Sequence, residues 1–125
     1  MIVGLGIDLV ESSRVGKELA RRRWGPDDGV FTPTESTYCR AGKQTEQRYA
    51  ACFAAKEATL KALGTVVPDL GIFREVEVEF GGRTQPEIIL HDRLQETARQ
   101  LGANRINLSL AVARKHIGAM VILES

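Results

Sequence analysis

The sequence predicts an α+β fold, with helices packed on a small, mostly antiparallel sheet. Two observations carry this expectation. Residues 75–80 pass through Gly81-Gly82 into 86–90, and residues 106–112 pass through the basic turn Arg114-Lys115-His116 into 117–123. Both connections are far too short for a crossover helix, so each joins antiparallel strands. The helical patterns and these strands are mixed without the strand–helix–strand rhythm of a parallel sheet.

The elements follow in order. Residues 2–7 form an apolar run with Gly4 and Gly6 alternating through it, as suits a buried strand closely approached by another backbone. Asp8 comes at the polar end of that run, where an acid ordinarily caps or forms a turn. Ser12 or Ser13 can cap a helix reaching about residue 23, with Val15 and Leu19 as its apolar stripe. Arg14, Glu18 and Arg21 share one face, with Lys17 beside them. Between residues 12 and 24 five basic side chains (Arg14, Lys17, Arg21, Arg22, Arg23) oppose one acid, Glu18. Such a face is ordinarily a solvated surface; its functional reading is a docking site for an acidic partner. Residues 25–29 form a loop. Thr32, Pro33 and Glu35 then spell a capping box with proline in the first helical position, opening a helix that covers Tyr38 and ends near Ala41-Gly42.

The central helix runs over residues 45–63, with Gly64 just past its C-terminus. Tyr49, Cys52, Phe53, Leu60 and Leu63 supply its core face. Ala50 and Ala54 share a side with Glu57 and Lys61, which leaves room for something to approach the acid. Residues 64–71, containing Pro68, read as a loop, and the strict alternation of 75–80 as a half-exposed strand. Residues 92–101 form an amphipathic helix with Leu94, Ala98 and Leu101 on one side, closed by Gly102.

Residues 1–125 are expected to form a single domain, with 43% hydrophobic and 26% charged residues in the ordinary range for a globular protein. A net charge of +1 gives no argument for nucleic acid or membrane as a partner. Cys39 and Cys52 make neither a disulfide framework nor a metal cluster, and read as reduced thiols in a cytoplasmic protein. The apolar N-terminus has no basic segment before it and carries Asp8, so it reads as neither a signal peptide nor a membrane helix.

The candidate chemistry centres on Glu57, which lies between Lys56 and Lys61. A glutamate four residues before a lysine is the favourable order for a simple surface pair, worth about 0.2–0.5 kcal/mol. Against that reading, Lys56 sits among alanine, phenylalanine and leucine, which suggests an enclosed polar pocket. There is no P-loop, and Gly4 with Gly6 do not make a dinucleotide fingerprint. Two carboxylates, Asp8 and Glu57, with lysines nearby and no Cys/His cluster, are the parts of a Mg²⁺ site with a phosphate ligand, since Mg²⁺ takes oxygen ligands and few carboxylates.

Three stretches carry a family resemblance. They are Gly-Ile-Asp-Leu-Val-Glu-x-x-Arg at 6–14, Phe-Thr-x-x-Glu-x-x-Tyr-Cys at 31–39, and Phe-Ala-Ala-Lys-Glu-Ala-x-x-Lys-Ala-Leu-Gly at 53–64. In order and spacing the chain resembles the holo-[acyl-carrier-protein] synthases, the small 4′-phosphopantetheinyl transferases. The resemblance implies transfer of 4′-phosphopantetheine from coenzyme A to a serine of an apo acyl carrier protein, as used in fatty acid or polyketide biosynthesis, with release of adenosine 3′,5′-bisphosphate. It implies Asp8 and Glu57 as Mg²⁺ ligands, and Asp8, Glu57 and Lys61 as the catalytic set. Lys56, Lys61, Gly64 and Thr65 are the implied coenzyme A contacts, and Arg14, Lys17, Arg21 and Arg22 the implied carrier-docking residues. A homotrimer with active sites between subunits is implied as well.

The chain departs from the family pattern at three places. Cys52 replaces an arginine, Val66 replaces a glycine, and Ala111-Val112 replaces a Ser-His pair, with His116 read as a surface residue of the turn. These changes are expected to remove polar or flexible groups near the coenzyme A site. They define the alternative reading, a catalytically impaired or repurposed homologue that binds a carrier protein without efficient transfer.

Overall fold

The computed structural model describes residues 1–21, 29–81 and 85–125. The elements run β1 (Ile2–Glu11), α1 (Ser12–Ala20), α2 (Pro33–Arg40), α3 (Thr45–Leu63), β2 (Val76–Glu79), β3 (Glu87–Leu90), α4 (Asp92–Leu101), β4 (Arg105–Val112) and β5 (His116–Glu124), with a 3₁₀ helix, Leu70–Glu75, before β2. β1, β5 and β4 form one antiparallel sheet in that order, and β2 with β3 form a second. The α+β expectation holds. Arg22, Arg23 and residues 25–28 of the expected loop lie outside the described residues, as does Gly82. No described helix is long and apolar enough to cross a membrane.

The sheet and α3 share one core, which also takes in Val15, Phe31, Ile72, Val78 and Leu94. What lets α3 lie so close to β1 is the pair of glycines. A Cβ added at Gly4 would collide with the carbonyl oxygen of Ala62, and one at Gly6 with that of Ala58. The inward face of β1 is therefore cut to the helix backbone. The outward face is not covered: Leu5, Ile7 and Leu9 are 60%, 67% and 71% exposed. The close backbone approach expected at the glycines is present, but the expectation of a buried strand is corrected, since only one face of β1 is covered. The strand also does not end at Asp8, which pairs with Ala119 in mid-ladder while β1 continues to Glu11 opposite His116.

The capping box of α2 forms as expected: Thr32 N–H donates to Glu35 Oε1 at 2.9 Å, and Glu35 N–H donates to Thr32 Oγ1 at 3.2 Å. Glu35 does more than cap. Its Oε2 accepts from Val78 N–H at 2.7 Å, and its Oε1 meets Lys56 Nζ at 2.8 Å. Lys56 also donates to the carbonyls of Phe73 at 2.8 Å and Val76 at 2.6 Å. Both side chains are fully buried. This pair ties α2, α3, the 3₁₀ helix and β2 together. Burial lowers the Lys56 pKa, and Glu35 partly offsets the shift.

α3 runs over the expected residues and ends at Gly64 with φ +69°. Tyr49, Cys52, Leu60 and Leu63 are buried as expected, but so are Ala50 and Ala54, which are fully inaccessible. Their small side chains admit neighbouring elements and leave no open flank. Neither Ser12 nor Ser13 caps α1. Ser12 is its first residue, and the Ser13 hydroxyl donates to Glu11 at 3.1 Å. Residues 70–75 form the 3₁₀ helix where a loop and strand start were expected, and the buried Glu75 there receives a hydrogen bond from Arg93 at 2.7 Å. Leu101 is 40% exposed in the last turn of α4, which Gly102 closes as expected, and His116 is exposed where the turn enters β5.

Candidate functional site

The close fit of β1 on α3 decides where the acids go. Gly4 faces Ala62 and Gly6 faces Ala58, so the strand travels toward the N-terminus of the helix. Asp8, two residues further on the same face, arrives beside the turn carrying Glu57 and Lys61. Lys61 Nζ donates to Asp8 Oδ1 at 2.9 Å and to the Ile7 carbonyl at 3.1 Å. Asp8 and Glu57, 49 positions apart in number, thus meet around one lysine, as the sequence suggests.

The charges respond to one another. Partial burial raises the Glu57 carboxyl pKa, the negative charge of Asp8 raises it further, and Lys61 opposes both. The hydrogen bond from Lys61 to Asp8 holds the ammonium above its ordinary range. Two carboxylates facing a single exposed ammonium leave an unbalanced negative charge, which favours a further cation. Among the described residues no group of three or more His, Cys, Asp or Glu could hold a metal. A cation here would take two protein carboxylates and complete its shell with phosphate oxygens and water, as Mg²⁺ does.

These residues line a cleft of about 400 Å³, together with Glu11, Arg14 and Phe53. Arg14 therefore stands at the cleft as well as on the exposed face of α1, with Lys17 exposed beside it and Arg21 paired to Glu18 at 3.9 Å. Arg22 lies outside the described residues. A second, more apolar concavity of about 630 Å³ occupies the outer face of the sheet. Ile7, Leu9, Ser109, Ala111 and Met120 line it, and Asp8 with Lys61 reach its rim. Ser109, Phe53 and Glu11 were not expected at the site; Phe53 was expected on the core face of α3. For Ser109 the available signal was its place two residues before Ala111, on the same face of β4.

The remaining expected site residues are placed differently. Lys56 is removed from the cleft by its buried bonds to Glu35, Phe73 and Val76, so its assignment as a coenzyme A contact is corrected. Gly64 and Thr65 follow Lys61 immediately, closing α3 with Gly64 N–H on the Lys61 carbonyl at 3.1 Å and Thr65 N–H on the Leu60 carbonyl at 3.0 Å. Val66 is exposed just beyond them. Cys52 is buried against Cys39, Sγ to Sγ 3.7 Å, so this departure lies in the core between α2 and α3 and not in the cleft. Both thiols are free, and burial first, then Cys39, pushes Cys52 well above the ordinary thiol range. Ala111 and Val112 are exposed on β4, with Ala111 in the outer concavity.

Comparison with known proteins identifies the family. The family model for the 4′-phosphopantetheinyl transferase superfamily matches residues 4–115. A holo-[acyl-carrier-protein] synthase from Geobacter sp. (strain M21) is 41% identical over 124 residues, covering 99% of each chain. One from Koribacter versatilis is 37% identical over 126 residues, again covering 99% of each. Among solved structures, the synthase from Neisseria meningitidis superposes with a TM-score of 0.86 at 26% identity, over 100% of both chains. That from Bacillus anthracis, solved in complex with CoA (3′,5′-ADP), has a TM-score of 0.79 at 30% identity, over 100% of this chain and 98% of that one. The chain belongs to the 4′-phosphopantetheinyl transferase superfamily, within its holo-[acyl-carrier-protein] synthase family.

Proposed function

We propose that the protein transfers 4′-phosphopantetheine from coenzyme A to a serine hydroxyl of an apo acyl carrier protein. The observation that carries this reading is the meeting of Asp8, Glu57 and Lys61 at a cleft whose rim holds Arg14. In the reaction the serine oxygen bonds to the phosphorus bearing pantetheine. The bond from that phosphorus to the bridging oxygen breaks, and adenosine 3′,5′-bisphosphate leaves. Asp8 and Glu57 would hold Mg²⁺, which when bound supplies neutralisation of the charge on the pyrophosphate oxygens. The Lys61 side chain is 55% exposed, so it can swing from Asp8 to the departing phosphate as a point charge. The serine proton passes to one of the two carboxylates or to a water they orient. Arg14 and Lys17, with Arg21, present a basic surface to the carrier, and Gly64 with Thr65 border the coenzyme A side of Lys61.

The test is direct: incubate the protein with coenzyme A, Mg²⁺ and apo carrier proteins, and weigh the carriers. A pantetheine adduct is expected on at least one, and none at high enzyme concentration sinks the reading. Glu57→Gln is expected to lower transfer by about a thousandfold, the scale of losing a principal electrostatic group. The same variant has an expected stability signature. Because the folded protein raises the Glu57 pKa, ionising it on folding costs stability, and that cost appears as pH rises through the window above the ordinary carboxylate value. At neutral pH without metal, Glu57→Gln should therefore melt above the wild type, with the difference vanishing in acid. Equal transfer by the two proteins removes Glu57 from the mechanism.

The same reading includes a homotrimer. Its support is the uncovered apolar face of β1, Leu5, Ile7 and Leu9, continued by Met120 on β5. A neighbouring copy seated there would also cover the outer concavity that reaches Asp8 and Lys61, making the site composite. Sedimentation is expected to give the mass of three chains, and Ile7→Lys to give smaller species. A wild type that sediments as one chain at micromolar concentration refutes the trimer.

A further inference from the structure

The basic turn between β4 and β5 has no role in the transfer chemistry above. Ala113 N–H donates to the His116 carbonyl at 2.9 Å, closing a four-residue turn with Arg114 and Lys115 at its centre. Both side chains are exposed, and neither makes a hydrogen bond or ion pair with any described residue. Turn geometry does not ask for them, since Gly, Asn, Asp and Pro are what central turn positions favour. Two adjacent cations there only repel each other in the isolated fold.

The position of the turn is held firmly. The Lys115 carbonyl accepts both the amide of Ser12, at 3.0 Å, and its hydroxyl, at 3.1 Å. Ser12 is buried and is the first residue of α1. The turn is thereby pinned to the start of the helix that carries Arg14 and Lys17. The nearby acids do not cancel the charge. Glu11 stands opposite His116 in the β1–β5 ladder and accepts from the Ser13 hydroxyl, and Glu18 is paired with Arg21. Glu46 lies against α1 at Gly16, and Asp8 and Glu57 share the cleft with Arg14, but none of these acids pairs with Arg114 or Lys115.

We propose that the Arg114-Lys115 turn is a second arm of the α1 docking surface, one that takes carboxylates of an acidic protein partner. This rests on the carrier-transfer reading and extends it: recognition is two-pronged, from a helix and from the turn pinned at its N-terminus. Charges at the rim of an interface chiefly raise the association rate and its salt dependence, and the turn does so without touching the reacting groups.

The experiment compares the wild type with the Arg114→Ala, Lys115→Ala double variant, in steady-state transfer with carrier and coenzyme A varied separately. At low salt the variant is expected to raise the KM for carrier by about five- to tenfold, the sum of two exposed charge contacts. The difference shrinks as salt shortens the reach of the charges. The kcat, the KM for coenzyme A and the melting temperature stay unchanged, and Arg114→Lys keeps most of the carrier affinity. An unchanged KM for carrier overturns the proposal. So does a rise confined to the KM for coenzyme A, which would give the turn to nucleotide phosphates. Should the wild type transfer nothing, that failure belongs to the transfer reading, and the same proteins are compared for binding a labelled apo carrier by fluorescence anisotropy. Equal affinities then overturn the docking arm.

Discussion

Lys56→Ala is expected to cost about 3–5 kcal/mol of folding stability, the scale for removing one partner of a buried ion pair. The loss is larger than for an ordinary truncation because three acceptors are stranded. Glu35 keeps its charge in a fully buried site, and the carbonyls of Phe73 and Val76 lose their donor. That is a large fraction of the stability of a domain this size. Urea unfolding of the variant measures it. Lys56→Met combined with Glu35→Gln should regain much of the loss, since it removes both charges together and leaves an amide that can still accept from Val78. A loss below about 1 kcal/mol for Lys56→Ala, the range of an exposed pair, would show that the ammonium is solvated after all.

Gly6→Ala is expected to be as damaging for a different reason. The new methyl would fall on the carbonyl oxygen of Ala58 and against the amide of Ala62, both fixed helix backbone. Nothing there can rotate away, so β1 must lift off α3. Overpacking of this kind costs about 1–3 kcal/mol where side chains can adjust and more where they cannot. Transfer should fall with stability, because Asp8 lies two residues along the strand that moves. Gly64→Ala is the contrast. Nothing lies within 4 Å of its added Cβ, and only its left-handed φ of +69° is penalised, so about 1 kcal/mol is expected. Thermal melts of the two variants should separate them clearly, and similar melting temperatures would refute the close β1–α3 contact.

The legible features of this chain are the local ones. The capping box of Thr32 and Glu35, the reach of α3 to Gly64 and the helix over 92–101 all depend on residues within a turn of each other, so the pattern states them. That Asp8, Glu57 and Lys61 come together was also legible, through the family resemblance of the motifs that carry them. Lys56 was misplaced because its neighbours in sequence suggest a pocket, while its partner, Glu35, comes from a different helix and is brought in only by tertiary contact. The outward apolar face of β1 was hidden for a related reason. Leu5, Ile7 and Leu9 alternate with Gly4, Gly6 and Asp8, and a run of apolar residues and glycines does not say which face is covered. Cys52 looked like a change at the substrate site because the residue next to it in sequence, Phe53, lines the cleft, yet a helix turns adjacent side chains about 100° apart.

The alternation in β1 also acts as a proofreader. A slip of the strand by one residue would exchange its two faces. Leu5, Ile7 and Leu9 would then be driven at a helix backbone that has no space even for the methyl of an alanine at Gly6. Asp8 would at the same time swing away from Lys61. The misregistered chain therefore cannot close its core, and a well-folded molecule with its carboxylate on the wrong side of the sheet is not an available product. Correct folding and correct placement of the acid are checked by the same steric test.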